Sequence, residues 1–157
     1  MNIRLITIGK TDDKRLRSLI AEYEKRLRRY VKFSLEELPD IKNAKNLSEA
    51  QQKQAEGELI LKKLDPSDTL VLLDEKGKHY TSVKFANFLQ KKMNSGLKTL
   101  VFVIGGPYGF SEEVYTAAKG KVALSEMTFS HQMVRLFVVE QIYRGFTILR
   151  NEPYHHR

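Results

Sequence analysis

The chain has 157 residues, of which 41% are hydrophobic and 29% charged, a balance that excludes a mainly disordered chain and predicts one folded domain over residues 1–157. It contains no cysteine, which excludes disulfides, thiolate nucleophiles and cysteine-ligated zinc. Its four histidines lack the spacing of metal ligands, so we expect no metal site.

The net charge of +8 favours a polyanionic partner, because lysine and arginine side chains that meet phosphates release condensed counterions. Nucleic acid is the first candidate, but small proteins are also basic for solubility alone, and charge does not separate these two interpretations. No apolar run reaches the roughly 18 residues of a membrane span, and the first residues lack the pattern of a signal peptide. We therefore expect a cytoplasmic protein without a membrane partner.

Residues 2–8 form a predicted strand, and an amphipathic helix capped by Asp12 or Asp13 should follow it. One face of this helix is an apolar stripe made of Leu16, Leu19, Ile20, Tyr23, Leu27 and Tyr30. The opposite face is basic and either follows a phosphate backbone or is simply solvated. Its residues are Lys14, Arg15, Arg17, Lys25, Arg26, Arg28 and Arg29.

Strands and helices continue to alternate up to residue 104. The predicted elements are a strand over 31–38, a helix from the Ser48 and Gln51 capping box to about Leu64, a strand over 69–73, a helix over 82–93 and a strand over 100–104. The last two strands are continuous apolar runs, as expected where both faces of a sheet are covered. This alternation predicts a three-layer α/β/α domain with a mostly parallel sheet.

A glycine-rich turn, containing Gly105, Gly106 and Gly109, follows the last of these strands. Ligands in such folds bind beyond the carboxyl ends of the strands, and glycine lets the backbone approach a ligand closely. The turn matches neither a P-loop nor the dinucleotide fingerprint. A tight structural turn without a ligand is the alternative.

The segment from His131 to Leu149 is a predicted helix with eleven apolar residues among nineteen. This is too many for a helix that exposes one face to solvent. In so small a chain another copy would best cover the second apolar face, which predicts a two-fold homodimer. Within this helix Arg135, Glu140 and Arg144 need partners if they are buried. Glu140 and Arg144 can pair along the helix, for structure alone or for catalysis.

The last third of the chain carries five short motifs in a fixed order. They are residues 103–109 (VIGGPYG), Leu124-Ser125 with Met127-Thr128-Phe129 and His131, the pair Val134-Arg135, residues 140–144 (EQIYR) and residues 153–155 (PYH). In order and spacing they closely resemble the RlmH family of SPOUT methyltransferases, and the resemblance extends from the first strand to the last residues. It implies a deep trefoil knot in the C-terminal part, an exception to the rule against threaded folds.

The resemblance implies an enzyme that uses S-adenosylmethionine to methylate N3 of a pseudouridine in the 23S ribosomal RNA of the large subunit. The implied partners are a second copy and the assembled ribosome, not DNA. The cofactor-binding residues carried over by position are Leu73, Gly106, Ser125, Glu126, Met127, Thr128, Phe129 and Ser130. Ser130 departs from the family pattern, in which a proline often precedes the histidine.

The resemblance also implies catalytic roles for Glu140, Arg144, Tyr154 and His155. The imide N3 is largely protonated at neutral pH, so its proton must be removed or the developing anion stabilised. Arg144 is expected to stabilise the anion, and His155 to accept the proton unless solvent does so. Tyr154 offers a ring for stacking on a splayed base, whereas His131 is expected to orient the cofactor loop.

Tyr154 and His155 of one chain are expected to reach the cofactor pocket of the other, because the apolar last helix should form the dimer interface. A frayed, inert terminus is the competing expectation. Two other functions are alternatives to methyl transfer. A noncatalytic RNA-binding protein on the same scaffold is the runner-up, and a nucleotide hydrolase lacks both a phosphate motif and a carboxylate cluster for magnesium.

Overall fold

Strands and helices alternate along residues 1–156, the part of the chain that the computed structural model describes. The strands are β1 (Asn2–Ile8), β2 (Lys32–Leu38), β3 (Asp68–His79), β4 (Thr99–Ile104) and β5 (Gly120–Ala123). The α-helices are α1 (Lys14–Leu27), α2 (Glu49–Lys62), α3 (Ser82–Asn94), α4 (Glu112–Ala117) and α5 (Met133–Leu149), with a short 3-10 helix over Ala44–Asn46.

The five strands form one sheet in the order β2-β1-β4-β3-β5. Every neighbouring pair is parallel, so the sheet is wholly parallel where the sequence predicted a mostly parallel one. All six residues of β4 are buried, which explains its uninterrupted apolar sequence. Parallel strands require a crossover between them, and the helices supply it.

Helices cover both faces of the sheet, which confirms the predicted three-layer α/β/α architecture. Ile20 of α1 and Ile142 of α5 pack with Phe102 in one core, which also contains α3. Val114 of α4 packs with Val103 in a second core, which also contains α2. Phe102 and Val103 serve opposite faces because side chains alternate along a strand. Burial of each such side chain contributes about 1.5–3 kcal/mol to the stability of the folded protein.

The helix starts follow the capping rules that the sequence predicted. The Asp13 side chain accepts hydrogen bonds from the backbone of Arg15 and Leu16 at the start of α1. Ser48 and Gln51 form a complete capping box at the start of α2. None of the helices within residues 1–156 is long and apolar enough to cross a membrane.

Strand β3 is longer than the predicted strand over residues 69–73 and continues to His79. Its register against β5 shifts between Leu73 and Lys78. Gly77 allows this continuation, because a Cβ there would lie 2.7 Å from backbone atoms of β5. The apolar pattern ends at Leu73, so nothing in that pattern indicated the extension.

The sequence left residues 112–123 unassigned, yet they form α4 and β5. Elements of six and four residues are too short to show a period. The predicted apolar stripe of α1 is also only partly correct. Leu16, Ile20 and Leu27 are buried, whereas Leu19 is 45% exposed.

Candidate active site

A pocket of about 380 Å³ lies at the carboxyl ends of β4 and β5 and beside the middle of β3, within the size range of about 300–1,000 Å³ for small-molecule sites. Six of the eight residues predicted to bind the cofactor line this pocket, namely Leu73, Gly106, Ser125, Met127, Thr128 and Phe129. His131, expected to orient the same loop, also lines it. The structure thus brings together segments that lie far apart in the sequence.

The glycine turn forms one wall of the pocket. Gly109 has φ of +86°, and its N–H donates to the carbonyl of Gly106 at 3.3 Å. A Cβ on Gly105 would lie 2.9 Å from the Phe110 ring, and a Cβ on Gly106 would overlap the Glu56 carboxylate. The turn therefore requires glycine for its close packing.

Glu126 and Ser130 do not line the pocket, although they belong to the same loop. The Ser130 hydroxyl instead accepts hydrogen bonds from the backbone of Gln132 and Met133, at 3.2 and 3.1 Å. It satisfies backbone donors in the turn that leads into α5, whose N-cap residue, Gln132, has no side-chain capping hydrogen bond. The serine that departs from the family pattern thus stabilises the beginning of this helix.

Asp74 and Tyr115 also line the pocket, and the sequence analysis missed both. The Tyr115 hydroxyl donates to the Asp74 carboxylate at 2.5 Å. Burial and this hydrogen bond raise the pKa of Tyr115 to about 12, so the hydroxyl keeps its proton at neutral pH. The position of Asp74 just after the predicted third strand was the available signal, because strand ends border ligand crevices.

The four residues predicted to be catalytic form a second cluster, hereafter the tail cluster. Arg144 pairs with Glu140 at 2.5 Å, which confirms the predicted ion pair along the helix. The Tyr154 hydroxyl donates to Glu140 at 2.9 Å, and its ring lies 4.7 Å from the Arg144 guanidinium. His155 Nδ1 lies 3.2 Å from Arg144 Nη1. Tyr23 of α1, predicted only as part of the apolar stripe, places its hydroxyl 3.2 Å from that of Tyr154.

Two groups of the tail cluster, Arg144 and Tyr154, have raised pKa values. The hydrogen bond to Glu140 raises the pKa of Arg144, and burial with hydrogen bonds to Tyr23 and Glu140 raises the pKa of Tyr154. A guanidinium can only donate, so His155 Nδ1 accepts from Arg144 and the neutral ring carries its hydrogen on Nε2. In this arrangement His155 presents a donor rather than a free proton acceptor.

Residues 152–155 are anchored, unlike the frayed terminus that was the competing expectation. Glu152 N–H donates to the carbonyl of Thr147 at 2.9 Å. The Tyr30 hydroxyl donates to the Glu152 carboxylate at 2.6 Å. Tyr154 and His155 are both half-buried. The tail is thus docked against α1 and α5 of its own chain.

The pocket and the tail cluster are separate within one chain. None of Glu140, Arg144, Tyr154 and His155 lines the pocket, whose contact with α5 is through Val134. At a rise of about 1.5 Å per residue, the cluster begins roughly 9 Å further along that helix. One chain therefore holds two spatially distinct parts of the predicted site.

Exposed apolar side chains lie beside the pocket. Met133 and Phe137 on α5 are 44% and 37% exposed, and Phe129 of the neighbouring loop is 41% exposed. The rings of Phe129 and Phe137 are 5.2 Å apart between centroids. Helix α5 is thus buried on more than one side but not all round, and its open apolar surface adjoins the pocket.

The basic face of α1 is partly occupied by internal contacts. Arg26 pairs with Glu22 and Arg28 with Glu24, at 2.7 and 2.8 Å. Arg17 donates to the carbonyl of Thr11. All three arginines belong to the face that was expected either to follow a phosphate backbone or to be simply solvated. Among residues 1–156, Lys14, Lys25 and Arg29 form no ion pair on this face.

Arg135 is 1% exposed and joins the start of α5 to the end of β1. Its guanidinium donates to the carbonyls of Ile8 and Gly9 at 2.8 and 2.9 Å, and to Glu37 at 3.2 Å. The expectation that this arginine needs partners is confirmed. Its contacts assign it to positioning the helix rather than to the pocket. Among residues 1–156, no three metal-ligating side chains come together.

Comparison with known proteins identifies the family of this chain. The family model described as a predicted SPOUT methyltransferase matches residues 1–155. A ribosomal RNA large subunit methyltransferase H from Flavobacterium johnsoniae is 71% identical over 157 residues, with all of both chains covered. A protein of the same name from Parabacteroides distasonis is 64% identical, with 99% of each chain covered.

The solved structure of a probable methylase family protein from Haemophilus influenzae Rd KW20 is similar in fold, with a TM-score of 0.53 at 13% identity. The match covers 99% of this chain and 71% of that one. Together, the family match over nearly the whole chain and the full-length relatives establish the assignment. The chain belongs to the SPOUT methyltransferase family and, within it, to the RlmH family that its motifs resemble.

Proposed function

We propose that this methyltransferase uses S-adenosylmethionine to methylate N3 of a pseudouridine in 23S ribosomal RNA, in the cytoplasm and on the assembled ribosome. The observation that carries the proposal is the pocket at the carboxyl ends of β4 and β5 in a chain that is 71% identical, over its full length, to a ribosomal RNA large subunit methyltransferase H. The net charge of +8 suits an RNA substrate.

The pocket fits the proposed cofactor in size and in character. Its wall combines the close-packed glycine turn with apolar side chains of Leu73 and Phe129 and the hydroxyls of Ser125 and Thr128. Apolar walls with a few polar groups are typical of cofactor sites. Glu126 and Ser130 would act through the backbone of the same loop. When bound, the cofactor supplies a methyl group activated by a sulfonium.

The tail cluster supplies charge and orientation. Arg144, held by Glu140, stabilises the negative charge that develops on the pyrimidine as N3 loses its proton. His155 donates from Nε2 to a carbonyl oxygen of the base, and the N3 proton leaves to solvent. Tyr154, fixed through its hydroxyl, offers its ring to the splayed base. This scheme favours positioning over the expectation that His155 is a general base.

Each active site is shared between two chains of a homodimer. Within one chain the tail cluster does not line the pocket, and exposed Met133, Phe137 and Phe129 adjoin that pocket. Burying these side chains against a second copy would stabilise a dimer. It would also bring the tail cluster of one chain toward the pocket of the other. The trefoil knot implied by the family is part of the same proposal.

Transfer of a labelled methyl group from S-adenosylmethionine to ribosomes tests the proposed reaction. We expect label in the 23S RNA of assembled ribosomes, and none with ribosomes that carry uridine in place of the pseudouridine. Label on the uridine-containing ribosomes would show that the target base is wrong. Ribosome binding with no label on either substrate would favour the noncatalytic RNA-binding alternative.

A further inference from the structure

Glu56 of α2 is a buried carboxylate without a cationic partner among the described residues. Glu56 is 3% exposed, and its Oε1 has no hydrogen-bond partner among the described residues. Its Oε2 accepts only a long bond of 3.3 Å from the Gln52 amide. Buried charges are normally paired, because leaving water is unfavourable for an ion. A lone buried carboxylate therefore calls for an explanation.

This carboxylate lies directly behind the wall of the pocket. A Cβ on Gly106 would overlap both Glu56 oxygens and would lie 2.7 Å from the Glu56 Cδ. Gly106 lines the pocket on its other side, whereas Glu56 does not reach the pocket. The thickness of one glycine thus separates the carboxylate from the space that the proposed cofactor occupies.

No described cation neutralises Glu56 from the elements packed against it. On its own helix Gln52 contributes a neutral amide, and the segment after β2 presents the carboxylate of Asp40. The glycine turn contributes backbone. Burial first, and then Asp40, raise the pKa of Glu56, while Gln52 lowers it. A positive charge placed in the pocket would favour the ionised form of Glu56 across Gly106 and would interact with it there, beside the Asp74, Glu75 and Lys76 side chains that line the pocket.

We propose that Glu56 is a specificity-determining residue that favours the cationic cofactor over its neutral product by attraction across Gly106. This inference rests on the proposed function. In the reaction the carbon–sulfur bond breaks, its electron pair stays on sulfur, and a carbon–nitrogen bond forms at N3 while the N3 proton leaves to solvent. The sulfonium becomes a neutral thioether. The attraction therefore acts on the sulfonium cofactor and is lost for the thioether product. This difference favours replacement of the bound product by a new cofactor molecule.

The experiment is calorimetric binding of S-adenosylmethionine and S-adenosylhomocysteine to the wild type and to Glu56→Gln. We expect Glu56→Gln to weaken binding of the sulfonium ligand about tenfold and that of the thioether less than about twofold. Glu58→Gln, which removes an exposed carboxylate from the same helix, should leave both affinities unchanged. Glu56→Asp keeps the charge and should retain most of the preference.

Proton linkage provides a second measurement. A bound cation lowers the pKa of Glu56, so binding of S-adenosylmethionine to the wild type should release protons, detected by calorimetry in buffers of different ionisation enthalpy. The thioether and the Glu56→Gln protein should show no such release. If Glu56→Gln does not fold, the pH dependence of binding to the wild type tests the inference instead. The preference of the wild type for the sulfonium ligand should increase as the pH rises through the Glu56 pKa.

Equal weakening of both ligands by Glu56→Gln would overturn the inference, because a residue that only shapes the turn or holds the amino-acid part of the ligand acts on both alike. A preference independent of pH and of Glu56 would overturn it too. If the wild type binds neither ligand, the proposed cofactor itself is wrong. The two failures are therefore distinguishable.

Discussion

The pocket and the tail cluster differ in what they offer to a reaction. The pocket is a space lined by apolar and polar residues, with a glycine turn that leaves no room for a side chain on Gly106. The tail cluster offers fixed charge and aromatic surface, with Arg144 held between Glu140 and His155. Methyl transfer to an imide needs both a cofactor site and charge stabilisation. In the proposed function, one chain therefore contributes the pocket to one active site and the tail cluster to another.

The largest expected effect is on the pocket. Gly106→Val should abolish binding of S-adenosylmethionine, because even a Cβ at this position overlaps the Glu56 carboxylate. The control is Gly120→Ala, since a Cβ at Gly120 meets nothing within 4 Å. If calorimetry gave wild-type affinity for Gly106→Val, the cofactor would not bind in this pocket.

Arg144→Ala should lower kcat about 100-fold, as removal of a charged donor that stabilises a developing anion typically does. Because Arg144 does not line the pocket of its own chain, affinity for the cofactor should stay within about twofold. Steady-state kinetics and calorimetry measure the two quantities. A parallel loss of affinity would mean that the pocket and the tail cluster are not separate functions.

The anchoring of the tail predicts a smaller effect on stability. Tyr30→Phe removes the hydrogen bond to Glu152 and should lower the free energy of unfolding by about 1 kcal/mol in urea. Tyr143→Phe, on the neighbouring helix, is the matched control. Burial and Glu152 raise the pKa of Tyr30 to about 12 from 10.0, so the contribution should persist below pH 10 and disappear as the pH approaches 12. No difference between the two variants would show that this hydrogen bond does not hold the tail.

The smallest expected effect concerns RNA. Reversing Lys25 or Arg29 should reduce the salt dependence of ribosome binding by about one unit of log–log slope for each phosphate that is no longer neutralised. Reversing Arg26 or Arg28 should change it less, because each is already paired with a carboxylate. Filter binding at several salt concentrations measures both slopes. Unchanged slopes for all four would show that this face is only solvated.

The contacts that could be predicted from the sequence join residues only a few positions apart. The capping box at Ser48 and the ion pair between Glu140 and Arg144 each join residues three or four apart, and both were predicted. The hydrogen bonds to the Ser130 hydroxyl from the backbone of Gln132 and Met133, two and three positions away, have the same kind of signal. They were missed because this serine had been assigned to the cofactor loop.

Contacts between distant parts of the chain left no such signal. Tyr23 meets Tyr154 across 131 positions, and Glu56 faces Gly106 only because α2 packs behind the turn after β4. Neither pairing has a period or a spacing in one sequence. The residues of the site could be named from the family motifs, but their division into a pocket and a separate tail cluster required the fold.

The central claim is that each active site combines the pocket of one chain with the tail cluster of another, and a mixed dimer tests it most directly. One chain carries Gly106→Val, the other lacks residues 154–157, and each homodimer should be inactive. Heterodimers isolated with two affinity tags should regain one intact site, hence about half of the wild-type activity per dimer. Heterodimers that form but transfer no methyl group would contradict the shared site and place the tail's action within its own chain.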